Sequence, residues 1–272
     1  MKDRMAIGLP NGKVCYLTSK SMRTAAKFLR WEIFKQRQYE YPGFELRSND
    51  TLVDIGGNIG MFALWAAPQI PAGRLVSVEP NPAALECLRL NVERNNLRNV
   101  TIVPAAAGGE DGTMDFVYHP GWEMLGYNAA LDAPWFATGS RMARFFRWLL
   151  QRALNHPHDS AADQKITVRQ MTLPRIMDEY QVGAIDYLKI DCEGGEFEIL
   201  RGMNAAYWSR IERIVVEYHD YGSDRKHGEL VRILQNNDFH VVVARSWFEC
   251  VFAPFGAHVG MIWAKRRSSG RI

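Results

Sequence analysis

The stretch Thr51-Leu52-Val53-Asp54-Ile55-Gly56-Gly57-Asn58-Ile59-Gly60-Met61-Phe62 decides how this chain is read. A mostly apolar run up to Ile55 reads as a buried strand, and the glycines after it turn the chain into a helix. Glycines at 56, 57 and 60 let the backbone turn tightly and approach a ligand, while the N–H groups at the start of the next helix face the same space. A second strand, residues 74 to 78, ends in Glu79, 19 residues past Gly60. A βαβ nucleotide site puts a carboxylate there, on ribose hydroxyls. The pattern calls for a nucleoside-bearing cofactor.

The order Asp54-x-Gly56-x-Asn58-x-Gly60 departs from the G-x-G-x-x-G of nicotinamide and flavin sites, because its acid precedes the first glycine. It is closer to the D-x-G-x-x-x-G cradle for S-adenosylmethionine. An acid at a strand tip suits a cationic amino-acid tail and sits poorly beside a pyrophosphate. The bland alternative is a strand, turn and helix whose glycines serve packing alone; a dehydrogenase is a third reading.

With 272 residues the chain suits one α/β domain with additions. The net charge of +3 comes from 33 basic and 30 acidic residues mixed along the chain, so no nucleic-acid footprint is implied. Cys15, Cys87, Cys192 and Cys250 are far apart with no C-x-x-C pair, which argues against a zinc site or a disulfide framework. The first residues lack a continuous apolar core for a leader, and no later run approaches the ~20 residues needed to span a bilayer. A soluble, cytoplasmic protein is expected.

Along the chain, residues 5 to 18 read as a hairpin around Pro10-Asn11-Gly12. Residues 21 to 38 read as an amphipathic helix, so 1 to 48 forms an N-terminal hairpin and helix cover. From 49 to 268 strands and helices alternate: strands near 51 to 55, 74 to 79, 99 to 104 and 112 to 118, then 166 to 170, 185 to 190 and 211 to 217, with helices between most of them. This is the pattern of βαβ units in a parallel sheet. Strands at 239 to 244 and 258 to 264 follow one another without a helix, which predicts an antiparallel pair closing the sheet. Residues 119 to 165 interrupt the alternation as an insertion, and 269 to 272 read as a loose tail.

Three stretches then resemble a known family: Asp54-Ile-Gly-Gly-Asn-Ile-Gly60; Glu79-Pro-Asn-Pro82 with Asn91 and Asn95 downstream; and Leu188-Lys-Ile-Asp-Cys-Glu-Gly-Gly-Glu196 followed by Val216-Glu-Tyr-His219. Over residues 50 to 220 the chain is similar to the FkbM-type S-adenosylmethionine-dependent methyltransferases. The resemblance implies a class I methyltransferase fold: a Rossmann-like α/β sheet of seven mostly parallel strands whose final strand is reversed. It implies methylation of a hydroxyl oxygen on a sugar or other secondary metabolite. It also places Asp54, Gly56 and Gly60 at the methionine end of the cofactor and Glu79 on its ribose, with Gly57 and Asn58 among the cofactor-binding residues. Pro80 and Asn81 then line the adenosine side, Ala106 and Ala107 the adenine, and Asp191 faces the sulfonium. Gly57 stands where the family often has alanine.

A hydroxyl is a poor nucleophile until its proton begins to leave, so a base is expected at the neighbouring strand ends. Asp191, Glu193, Glu217, His219 and Asp220 are the candidates. His219 is preferred, since an imidazole with a reference pKa near ~6.5 accepts a proton at neutral pH while a carboxylate, here Asp191, orients it. The catalytic set read from sequence is therefore His219, Asp191 and Glu217. The same three residues form an alternative oxygen and nitrogen set for a divalent metal, as in some sugar O-methyltransferases on this scaffold, but the reading without a metal is preferred. Glu193 and Glu196 are equally well explained as acids at a helix start. No Asn-Pro-Pro-Tyr or Asp-Pro-Pro-Tyr follows the fourth strand, which weakens the case for an amine or amide acceptor.

The insertion carries Trp122, Tyr127, Trp135 and Phe136, then a basic amphipathic stretch with Arg141, Arg144, Arg147, Phe145, Phe146 and Trp148. It reads as a lid over the acceptor or a homodimer contact, with docking on an anionic membrane surface or a carrier protein as a further use. The expected partner is a small hydroxyl-bearing molecule. The rival from another class is a non-catalytic S-adenosylmethionine-binding protein that acts through partners.

Overall fold

A computed structural model describes residues 5–118, 126–128, 164–192, 194–220, 226–245 and 258–267. The chain opens with a hairpin of β1 (Met5–Gly8) and β2 (Val14–Leu17), followed by α1 (Met22–Arg30) and one π-helical turn, Trp31–Lys35. The expected hairpin is present, whereas the expected single helix over 21 to 38 divides into an α segment and this wider turn. Then come β3 (Thr51–Ile55), α2 (Met61–Ala66), β4 (Arg74–Val78), α3 (Pro82–Arg94), β5 (Val100–Val103), β6 (Ala106–Gly108), β7 (Gly112–Tyr118) and β8 (Gly126–Asn128). The chain continues through β9 (Gln164–Thr172), α4 (Leu173–Glu179), β10 (Tyr187–Ile190), α5 (Glu196–Arg201), α6 (Ala205–Trp208), β11 (Arg213–Asp220), α7 (His227–Asn236), β12 (Phe239–Arg245) and β13 (His258–Arg266).

Seven strands form the main sheet in the order β12-β13-β11-β10-β3-β4-β5. β3, β4, β5, β10 and β11 pair in parallel, and β13 runs antiparallel to both β11 and β12. This is the class I methyltransferase arrangement that was expected, with the final strand reversed. Sequence order changes direction between β3 and β10. Open α/β sheets bind ligands at such a switch point, beyond the carboxyl ends of the strands.

The strands read at 112 to 118 and 166 to 170 need correction, since they do not continue the parallel sheet. β6, β7, β8 and β9 leave the main sheet and form a second, four-stranded sheet in the order β6-β9-β7-β8. β7 and β9 alternate exposed and partly buried positions, as at Thr113, Asp115, Lys165, Thr167 and Arg169. Strands wet on one face belong in antiparallel pairings, whereas a central parallel strand is buried on both. Of the insertion, only residues 126–128 and 164 and 165 lie within the description. Its arginines and aromatic side chains fall outside it, as do Glu193, Cys250 and the tail.

Period-two side chains sort into two cores. Val53, Ile55, Val76, Val78, Leu188, Ile190, Ile214 and Val216 face α4, α5 and α7. Leu52, Leu75, Tyr187, Val215 and Trp263 face α2, α3 and the N-terminal cover, which contributes Leu17, Met22, Ala26, Ile33 and Tyr39. Asn91 and Asn95, from the family-like stretch, serve the cover. Asn91 Oδ1 accepts from the Tyr16 amide at 2.6 Å, and Asn95 Oδ1 from the Val14 amide at 2.9 Å, so α3 satisfies the free edge of β2.

Candidate active site

A cleft opens at the carboxyl ends of β3, β4, β10 and β11. Its floor is Ile55, Gly56, Gly57 and Asn58; Glu79, Asp191 and Glu217 stand around it; Ala106, Ala107, Phe116 and Gln170 of the small sheet form one wall; and Phe28, Leu29, Glu32 and Tyr39 of the cover form another. The turn after β3 is tied to the next strand, because the amides of Gly56 and Gly57 both donate to the Val78 carbonyl at 3.0 Å. Gly56 has φ +84°, and a Cβ there would lie 1.7 Å from the Asp191 carbonyl oxygen, so no other residue fits. The glycines thus let β3 and β10 close together beneath the cleft as well as keeping its floor low.

Glu79, 6 % exposed, directly follows β4. Its two oxygens accept from the amides of Asn58 and Asn81, both at 2.8 Å, which aims the carboxylate at the turn. Burial pushes its pKa up to about 7, against the pull of the Asn81 and Asn58 amides and with a further push from Asp54. Pro80, Ala106, Ala107 and Asp191 also reach the cleft, as do Gly56, Gly57 and Asn58.

Three residues expected at the cofactor sit elsewhere. Asp54 is fully buried and outside the cleft lining: Oδ2 accepts from Ser77 Oγ at 2.8 Å, and Oδ1 lies 2.9 Å from Lys189 Nζ. Strand alternation explains this, since Ile55 and not Asp54 ends the strand at the cleft. Asn81 is 1 % exposed and caps α3, accepting from the Ala83 amide at 3.0 Å. Gly60, at φ +86°, begins α2 against Leu88.

The expected His219 and Asp191 pair is not formed. His219 is 5 % exposed and outside the cleft lining; its Nδ1 lies 3.1 Å from Glu196 Oε1. The same Glu196 oxygen accepts from the amides of Cys192 and Gly194, both at 3.2 Å, so Glu196 ties the loop after β10 to the end of β11. Asp191 Oδ2 instead accepts from the Tyr39 hydroxyl at 3.1 Å and lies 3.5 Å from Lys189 Nζ. Glu217 Oε2 accepts from Gln38 Nε2 at 2.8 Å. Asp220 turns to α7, accepting from the His227 amide at 2.6 Å. The alternative metal set of Asp191, Glu217 and His219 is accordingly not assembled, and among the described residues no other such group is.

Lys189, Tyr39 and Gln38 were missed from sequence. Lys189 is 2 % exposed, with Asp54 and Asp191 at its ammonium, the Gly56 carbonyl at 3.1 Å, and the rings of Tyr39 and Phe62 alongside. Burial pulls its pKa down, but the attraction of Asp54 and Asp191 outweighs that and holds it above the usual lysine value. A lysine inside the otherwise apolar Tyr187-Leu188-Lys189-Ile190 was a readable signal, since a buried charge needs a partner. Nothing local marks Gln38 or Tyr39, which arrive only through the tertiary fold.

With the geometry in place, comparison with known proteins is direct. A family model described as the methyltransferase FkbM domain matches residues 54–241. The chain is 30% identical over 266 residues to the 31-O-demethyl-FK506 methyltransferase FkbM of Streptomyces tacrolimicus, covering 96% of each chain. It is 28% identical over 242 residues to Methyltransferase 1 of Beauveria bassiana, covering 88% of this chain and 90% of that one. Among solved structures, a methyltransferase FkbM from Methylobacillus flagellatus superposes with a TM-score of 0.48 at 14% identity, covering 80% of this chain and 44% of that one. From its three sequence stretches to its domain match, the chain belongs to the FkbM methyltransferase family.

Proposed function

We propose that the protein is an S-adenosylmethionine-dependent O-methyltransferase acting on a hydroxyl of a small molecule, a sugar or a secondary metabolite. One observation carries the reading: the glycine turn after β3 is flanked by Glu79 on one side and by Asp191 and Glu217 on the other, all lining one cleft. The donor and acceptor set fits the cofactor, with a buried carboxylate for a ribose diol, small residues at Ala106 and Ala107 for a flat ring, and acids for a cationic tail. The Streptomyces relative, whose name records an O-demethylated substrate, supports oxygen as the acceptor atom.

S-adenosylmethionine supplies a methyl group on a sulfonium when bound. Glu79 accepts the ribose hydroxyls, Pro80 and the turn hold the nucleoside, and Asp191 faces the cationic end. Glu217 accepts the proton leaving the acceptor hydroxyl, a role that its place in the cleft favours over the buried His219. Phe28, Leu29, Met114 and Phe116 keep the reacting atoms dry. Asp54 and Glu196 act through others, one by holding Lys189 and one by holding the loop after β10.

Calorimetry with S-adenosylmethionine, followed by detection of S-adenosylhomocysteine across a panel of sugar and macrolide hydroxyls, tests the reading. Binding with turnover on a hydroxyl supports it. Binding without turnover on any member favours the non-catalytic alternative, and nicotinamide binding in place of S-adenosylmethionine would revive a dehydrogenase.

A further inference from the structure

We propose that the N-terminal cover is a working part of the active site, in which Gln38 and Tyr39 are positioning residues for the Glu217 and Asp191 carboxylates. The proposal rests on the reading of the cleft given above and extends it to a segment outside the residues that match the family model.

The π-helical turn carries the argument. α1 does not end in a regular cap. Its last turn widens, with the Gln36 amide donating to the Trp31 carbonyl at 2.9 Å, and Arg37 then takes a left-handed conformation at φ +56°. Wide turns of this kind, and non-glycine residues at positive φ, cost free energy and concentrate at functional sites. Here the result is that the next two side chains diverge. Gln38 reaches Glu217 in the second half of β11, and Tyr39 reaches Asp191 just past the end of the neighbouring strand β10.

The turn is also fastened from below. Tyr187, fully buried on β10, donates its hydroxyl to the Tyr39 carbonyl at 2.9 Å. The Tyr39 ring meets Phe62 edge-on with centroids 5.2 Å apart, and Gln38 Nε2 lies 3.4 Å from Met261 Sδ on β13. A cover needed only to shield the core would be served by Ile33 and Phe44. Two consecutive polar side chains, each donating to a different cleft carboxylate, do something more: they hold both acceptor oxygens in place.

Charged groups sharing the cleft with Glu217 include Lys189 on β10, Asp191 just after it, Glu79 after β4, Glu198 on α5 and Glu32 from the cover, and neither Gln38→Ala nor Tyr39→Phe alters any of them. Donation to a carboxylate favours its charged form. In protein labelled with ¹³C at the glutamate and aspartate carboxyls, the Glu217 resonance is identified by its loss in Glu217→Gln. Gln38→Ala is expected to raise the Glu217 titration midpoint by about one pH unit and to leave S-adenosylmethionine affinity within about twofold. Tyr39→Phe keeps the ring and removes the hydroxyl. It is expected to weaken S-adenosylmethionine binding about fivefold and leave the Glu217 midpoint in place.

This crossed pattern supports the proposal. An unchanged Glu217 midpoint in Gln38→Ala overturns it, whether or not the melting temperature falls, and so does equal damage to both readouts by both variants. A wild type that does not bind S-adenosylmethionine would defeat the cofactor reading instead, and the titration would still decide on Gln38.

Discussion

The ammonium of Lys189 lies 2.9 Å from Asp54 Oδ1 at the centre of the main sheet, with side chains 3 % and 0 % exposed. This pair joins the acid of the glycine motif to the lysine of the third family-like stretch, and through Lys189 to Asp191. Its place beneath the cleft, and not in it, makes the motif's acid a support for the site.

Removing one member strips the other's buried charge of its nearest partner, at a cost of about 3–5 kcal/mol. Asp54→Asn and Lys189→Met should each lower the free energy of unfolding measured in urea by that amount, while the double variant should recover a large part of it. Full additivity of the two losses would show that the pair is not coupled.

Gly57 offers a second coupled test. A Cβ at this position would lie 2.2 Å from Ser77 Oγ, which itself donates to Asp54, so Ser77 fills the space that an alanine methyl would take. Gly57→Ala should destabilise the protein by about 1–3 kcal/mol. In a Ser77→Ala background the same substitution should cost at least ~1 kcal/mol less, measured by denaturant unfolding of all four proteins.

Glu79 predicts a pH dependence. With its pKa raised to about 7 in the native protein, it holds a proton there that the unfolded chain has lost. Its contribution to stability is therefore present at low pH and lost as pH rises from the ordinary carboxylate range through about 7. Cofactor binding has the opposite slope, because ribose hydroxyls donate to the ionised form. Affinity for S-adenosylmethionine should rise roughly tenfold from pH 6 to pH 8, with proton release seen as a buffer-dependent enthalpy. Both effects should vanish in Glu79→Ala.

Glu217 and His219 separate base from support. Glu217→Gln should lower turnover on an accepted hydroxyl roughly a hundred- to ten-thousand-fold and leave cofactor affinity unchanged. His219→Ala, which removes the partner of buried Glu196, should mainly lower the melting temperature. Retained turnover in Glu217→Gln with loss in His219→Ala would return the role of base to the histidine.

Much of the architecture was legible because it rests on local chemistry. Apolar runs with Gly56, Gly57 and Gly60 after β3, Glu79 after β4, and Pro82 behind Asn81 each state a turn or a helix start in a few residues. Their spacing in the chain requires βαβ connections, and the helix-free link between β12 and β13 requires an antiparallel return. So the main sheet, the site's place at its carboxyl edge and the identity of several acids there follow from the order of residues.

What the order of residues left open was which groups meet. Asp54 and His219 lie in motifs beside the cleft, yet strand alternation and the path of the loop after β10 turn them towards Lys189 and Glu196. Gln38 and Tyr39 are 179 and 152 positions away from the carboxylates they hold, a separation across which no local pattern speaks. Those pairings exist only once two hydrophobic faces have packed the cover onto the sheet. Burial then makes every charge find a partner, and the fold decides which partner is within reach.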